Sequence, residues 1–175
     1  MYDDIYNNKV HFGLTYGKID TNKPILIRVH SECLTGDIFH SLRCDCGSQL
    51  DLAMKKIVDN GSGIIVYLRQ EGRGIGIRNK IKAYKLQQEE NLDTVEANNA
   101  LGFKADLRDY GVGAQILKDL GAKELIVMTN NPKKLVGLEG HDLKIADRVS
   151  VKIKPSEHNE KYLSVKKDKL NHMLD

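Results

Sequence analysis

The sequence contains no tryptophan and only three phenylalanines, three prolines and three cysteines among its 175 residues. Nucleic-acid surfaces built on base stacking draw on aromatic rings, and this chain offers few. Neither sign of charge dominates: 27 Lys and Arg stand against 24 Asp and Glu, a net of +3 that is too small for a nucleic-acid coat. No apolar run approaches the roughly 20 residues a membrane helix requires. No nucleic-acid partner and no membrane are therefore expected. The chain also opens without an apolar segment and cleavage site, and its cysteine count is odd, so a reducing, cytoplasmic location is the expectation.

A hydrophobic fraction of 41% and a charged fraction of 29% are those of a globular protein. The length suits one domain over residues 1–175, with a C-terminal helical tail at 160–175. In PILIRVHSEC, Ile25, Ile27 and Val29 alternate with Arg28 and His30 as in a strand. A helix follows from a Ser48 cap to Gly61. The apolar run Ile64 to Leu68 reads as a strand buried on both faces, broken by Gly72, Gly74 and Gly76, after which a basic helix runs from Ile77 to Gln88. EENLDTVEANN reads as a polar linker, DYGVGAQILKDLG as a helix, and KELIVMTNNPKK as a strand entering an Asn-Pro turn. The last helix is placed near Tyr162 to Leu174, its KKDK stretch (Lys166 to Lys169) on a solvated face. The fold class is α/β, a mixed α+β sheet with flanking helices.

All three cysteines, Cys33, Cys44 and Cys46, lie within ECLTGDIFHSLRCDCG. Cys44 and Cys46 are too close to bridge comfortably, which disfavours a disulfide framework. Three thiolates at this spacing form a soft donor set that suits zinc. His30 or His40 would close the site as a fourth ligand, whereas a position left open to water would make it catalytic. In a regular strand His30 points away from Cys33, which favours the open site. Three thiolates leave zinc with a net charge of about −1, so a nearby cation matters, and Arg43 beside Cys44 is the candidate.

In RQEGRGIGIRNK the glycines admit close backbone approach, while Arg69, Arg73, Arg78 and Lys80 supply positive charge near a helix start, a combination suited to phosphate. It is neither a P-loop nor a dinucleotide fingerprint. Two further clusters are Asp106 with Arg108, and Thr129 with Lys133 and Lys134. Asp106 is either a functional carboxylate or an N-cap with Arg108 as its surface neighbour.

Taken together, RVHSECLTGDIFHSLRCDCGSQL, YLRQEGRGIGIRNKIKAYKLQ, DTVEANNALGF, ADLRDYGVGAQIL and TNNPKKLVGLEG resemble GTP cyclohydrolase II, in register from about Gly13 onward. The resemblance implies a homodimeric α/β enzyme using Zn2+, with Mg2+ on the substrate phosphates. It would convert GTP to 2,5-diamino-6-(5-phosphoribosylamino)pyrimidin-4(3H)-one, formate and pyrophosphate, the first step of riboflavin biosynthesis. By motif, Cys33, Cys44 and Cys46 hold the zinc whose water attacks C8 of guanine. The resemblance implies that Arg28, Val29, His30, Ser31, Glu32, Gln49, Glu71, Gly72, Arg73, Thr94, Thr129 and Lys134 would contact GTP. Asp106 matches the proton acceptor and Arg108 the residue assigned as nucleophile toward the α-phosphate. A guanidinium stays protonated and is a poor nucleophile, so an electrostatic clamp is the expected role of Arg108. The N-terminal stretch is shorter than is usual in the family, as in a minimal member or a domain of a bifunctional enzyme fused to 3,4-dihydroxy-2-butanone 4-phosphate synthase.

Overall fold

A computed structural model describes residues 1–174. In chain order the elements are β1 (Tyr2–Asp4), β2 (Lys9–Tyr16), β3 (Ile25–Ser31), α1 (Leu34–Asp37), α2 (Cys46–Asn60), β4 (Gly63–Leu68) and a 3-10 turn at Glu71–Gly74. These are followed by α3 (Gly76–Glu89), α4 (Thr94–Ala100), α5 (Gly111–Asp119), β5 (Glu124–Met128), α6 (Pro132–Glu139), β6 (Lys144–Val149) and α7 (Glu160–Asp168). The chain divides into two compact units. The first is Met1–His30, Gln49–Arg69 and Asp109–Lys152; the second is Ser31–Ser48, Gln70–Arg108 and the residues from Ile153 onward.

The first unit carries a six-stranded sheet in the order β1-β2-β4-β3-β5-β6. β1 and β2, and β2 and β4, pair antiparallel, while β3, β5 and β6 run parallel, so the sheet is mixed as expected. Side chains alternate across a strand, and the packing follows that period. Ile25, Ile27 and Val29 of β3, Ile64, Val66 and Leu68 of β4, and Leu125 and Val127 of β5 share one core with Ile116 and Leu117 of α5 and Leu138 of α6. The intervening residues Leu26, Ile65 and Met128 pack in a second core with Ala53 and Ile57 of α2. Burial on both faces is why β4 reads as an unbroken apolar run. Each of these large side chains contributes about 1.5–3 kcal/mol when fully removed from water.

The second unit is built from α1, α3, α4 and α7 around the cysteine segment. In EENLDTVEANN only Glu90 to Asp93 connects helices, and TVEANN begins α4, whose N-cap Asp93 forms a reciprocal capping box with Glu96. α2 begins at Cys46, two residues before the expected Ser48 cap. TNNP likewise leads into a helix: Asn131 caps α6 by accepting from Lys133 N at 3.0 Å, with Pro132 at the first helical position.

Candidate metal centre and anion-binding residues

In the first unit, the parallel register Ile27↔Val127 brings the C-terminal ends of β3 and β5 side by side. Ligands of α/β sheets bind outside such ends. Here Arg28 donates to Met128 O at 2.9 Å and to Gln49 Oε1 at 2.7 Å, and Lys134 donates to Val29 O at 2.7 Å. Thr129 Oγ1 accepts from Asn131 N at 3.0 Å. Arg28, Gln49, Thr129 and Lys134 are all buried, whereas Lys133 is exposed. His30 stacks on Tyr67, ring centroids 5.5 Å apart. The structure thus gathers six residues marked in the sequence, Arg28, Val29, His30, Gln49, Thr129 and Lys134, at one edge of this unit.

In the second unit, the sulfur atoms of Cys33, Cys44 and Cys46 lie within 4.8 Å of one another, and Cys33 and Cys44 are 3.7 Å apart. A tetrahedral zinc with Zn–S bonds of about 2.3 Å sets its sulfurs about 3.8 Å apart, a spacing the Cys33–Cys44 pair already has, so the cluster could hold such an ion. All three cysteines are free. No histidine joins the cluster among the described residues, so the arrangement with His30 or His40 as fourth ligand is not formed. Two glycines let the segment close: a Cβ on Gly47 would meet Gly36 O at 2.2 Å, and one on Gly36 would meet Cys44 Sγ at 3.0 Å.

Hydrogen bonds from the Cys44 and Cys46 thiols hold Cys33 well below the usual thiol range, with burial opposing and the Lys80 ammonium reinforcing the effect. The same hydrogen bond pushes Cys44 up to about 11 and raises Cys46. Cysteines bind a metal as thiolates, so loading the site would release protons.

The cation at the cluster is Lys80, not Arg43. Lys80 Nζ lies 3.1 Å from Cys33 Sγ and 2.8 Å from Glu71 Oε1. Burial disfavours its charge, but the Cys33 thiolate, Tyr84 and Glu71 outweigh that and raise its pKa. Arg43 instead stacks on the Tyr84 ring at 4.6 Å and donates to Gln87. Of the four cations in the glycine-rich stretch, Arg69 and Arg78 are exposed, and only Arg73 and Lys80 are buried.

Arg73 occupies a left-handed backbone conformation (φ 59°, ψ 34°), which is costly without glycine. Its side chain packs 5.9 Å from the Tyr162 ring, and neither terminal guanidinium nitrogen has a hydrogen-bond partner among the described residues. The charge of Arg73 also helps to hold the Asp106 carboxyl below its usual range. Beyond it, Leu107 N donates to Arg73 O at 2.9 Å, which ties the turn to Asp106 and Arg108. Those two form a fork: Arg108 Nε donates to Oδ1 at 2.9 Å and Nη2 to Oδ2 at 2.7 Å. Burial pushes the Asp106 carboxyl up, but Arg108 more than offsets this and holds it below the usual range. Asp106 caps no helix, since the N-cap of α5 is Tyr110. Thr94 lines a cavity of about 150 Å³ with Arg43, Tyr84, Gln87 and Tyr162.

Lys167, Asp168 and Lys169 of KKDK are exposed as expected, and Lys166 departs from that reading. Lys166 is buried in an ion pair with Asp45, between two of the cysteines, and Lys169 pairs with Asp93 and Glu96 at the start of α4. Sequence reasoning missed Lys80, Asp45, Tyr162 and Lys166 as parts of this site. A signal was present for one: Lys80, Tyr84 and Gln87 stand at i, i+4 and i+7, sharing a face with the buried Ala83.

A mixed α/β sheet protein with a three-thiolate centre of the kind that holds zinc is the class these features define. The family model for GTP cyclohydrolase II matches residues 1–150, and the chain belongs to that family. It is 56% identical over 174 residues to the riboflavin biosynthesis protein RibBA of Bacillus mycoides (strain KBAB4), covering 99% of this chain and 44% of that protein. The protein of the same name from Chlorobium phaeovibrioides (strain DSM 265 / 1930) is 56% identical over 173 residues, 99% of this chain and 42% of its own length. The chain therefore spans less than half the length of these curated relatives.

Proposed function

We propose that the chain is a zinc-dependent GTP cyclohydrolase II domain over residues 1–175. It converts GTP to 2,5-diamino-6-(5-phosphoribosylamino)pyrimidin-4(3H)-one, formate and pyrophosphate, as the first step of riboflavin biosynthesis. The observation that carries this reading is the convergence of Cys33, Cys44 and Cys46 with no histidine in the cluster among the described residues, which leaves a position for reacting groups. When bound there, zinc supplies the Lewis acidity that activates water toward C8 of guanine. Mg2+ is proposed to accompany the triphosphate, the active form to be a homodimer, and the location to be cytoplasmic. No described helix is long and apolar enough to cross a membrane.

The motif match proposes Arg28, Val29, His30, Gln49, Thr129 and Lys134 in the first unit, and Ser31, Glu32, Glu71, Gly72, Arg73 and Thr94 in the second, as GTP contacts. The unmet donors of Arg73 support an anionic substrate. A lowered carboxyl pKa keeps Asp106 ionised at neutral pH and able to hold Arg108 in place, while the role of proton acceptor rests on the motif match alone. The fork to Asp106 keeps Arg108 a cation, which suits a clamp that stabilises charge on the transferring phosphoryl group rather than a nucleophile.

Mass spectrometry of the products from GTP and magnesium, with formate and pyrophosphate assayed in parallel, tests the assignment. The diaminopyrimidine monophosphate with both leaving products is expected. A product that retains formate, or GTP left intact by zinc-loaded protein, would overturn it.

A further inference from the structure

α3 begins at Gly76, and one turn in it delivers Lys80 to the cysteine cluster. The lysine is buried, 7% exposed, and its ammonium lies between Cys33 Sγ at 3.1 Å and the Glu71 carboxylate, Oε1 at 2.8 Å. Glu71 is tied to the same place: its Oε2 accepts from Leu34 N, the residue after Cys33, at 2.6 Å, and its Oε1 accepts from Gly72 N at 2.7 Å. Lys80 and Glu71 thus grip the Cys33-Leu34 step from two sides. A cation buried against one sulfur of a three-thiolate set does more than fill space, because the set carries more negative charge than a divalent ion cancels.

We propose that Lys80 is a positioning residue of the metal centre: its ammonium donates a hydrogen bond to the metal-ligating Cys33 thiolate, lowers that sulfur's donor strength, and couples it to Glu71. This rests on the metal reading above. A hydrogen bond to sulfur withdraws electron density from it, so the metal keeps more of its Lewis acidity while the excess negative charge is balanced. Glu71 competes for the same ammonium and sets how much of the donation Cys33 receives. In the mechanism, Lys80 acts through Cys33 and Glu71 and not on the substrate itself.

The test replaces zinc with cobalt(II) in the full chain and reads the sulfur-to-cobalt charge-transfer band at one fixed pH, with zinc affinity measured by chelator competition. Lys80→Met is expected to move the band to lower energy and to weaken zinc binding about 10–100-fold, the usual effect of losing a partner of a metal ligand. Lys80→Arg is expected to restore most of both. Glu71→Gln, which leaves more of the ammonium for Cys33, is expected to move the band to higher energy, and it answers the question even where Lys80→Met fails to fold. Unchanged bands in Lys80→Met and Glu71→Gln, with wild-type zinc affinity, would overturn the proposal. Wild-type protein that develops no charge-transfer band would instead overturn the metal reading beneath it.

Discussion

Asp106 holds Arg108 by a two-pronged fork, Nε to Oδ1 at 2.9 Å and Nη2 to Oδ2 at 2.7 Å, with the Arg108 backbone N–H donating to Oδ1 at 3.1 Å. A guanidinium so engaged is fixed in direction and kept charged, the requirement for a clamp on a phosphoryl group. Arg108→Lys keeps the charge and loses the fork, and is expected to lower turnover about 100-fold, with Arg108→Ala lower still. Rapid quenching with α-labelled GTP under alkaline conditions should leave no label on the wild-type chain. Label at Arg108 would establish a covalent phospho-arginine and remove the clamp.

The same pair makes a pH-dependent contribution to stability. The folded pKa of Asp106 is depressed, so its stabilisation is fully present above the unfolded value of about 3.9 and is lost as pH falls through the lower folded value. Asp106→Asn is expected to cost about 2–3 kcal/mol at neutral pH, the scale of a hydrogen-bonded charge pair largely removed from water. In urea unfolding, the difference from wild type should shrink steadily below about pH 4. A difference that held constant to low pH would show that Asp106 acts through packing alone.

Gly47 admits no side chain, because a Cβ there would meet Gly36 O at 2.2 Å. Gly47→Ala is expected to force the cysteine segment apart, at about 1–3 kcal/mol, and to lower zinc content below one per chain. Full zinc content in that variant would show that the segment tolerates the shift.

Lys166 anchors α7 through its buried pair with Asp45. Lys166→Met alone is expected to cost about 3–5 kcal/mol locally, because a buried carboxylate loses its cation. Proteolysis near residues 153–160 should accelerate. The double change Lys166→Met with Asp45→Asn should recover much of that protection. Equal protease resistance in the single variant and in wild type would show that α7 is held by other contacts.

The sheet and the cysteine cluster were legible in the sequence because they rest on short-range patterns. Alternation in Ile25 to Val29, the apolar run Ile64 to Leu68 and the spacing of Cys33, Cys44 and Cys46 each state a geometry directly. What escaped were pairings between residues far apart in the chain. Lys166 with Asp45 buries one residue of a stretch that is otherwise solvated, and Lys169 reaches Asp93 from the surface. Lys80 was visible as charge near a glycine-rich turn, yet nothing local says that it faces Cys33 rather than a phosphate. α4 hid because Asn98 and Asn99 dilute its propensity, and its stability draws on the Asp93 and Glu96 capping box.

Ring opening at the three-cysteine centre stands or falls with one comparison. Cys44→Ser, compared with wild type by mass spectrometry of GTP products alongside metal analysis of the same samples, tests it most directly. Wild type is expected to carry about one zinc per chain and to open the ring, while Cys44→Ser is expected to lose the metal and leave GTP unchanged. Ring opening by zinc-free Cys44→Ser would contradict it.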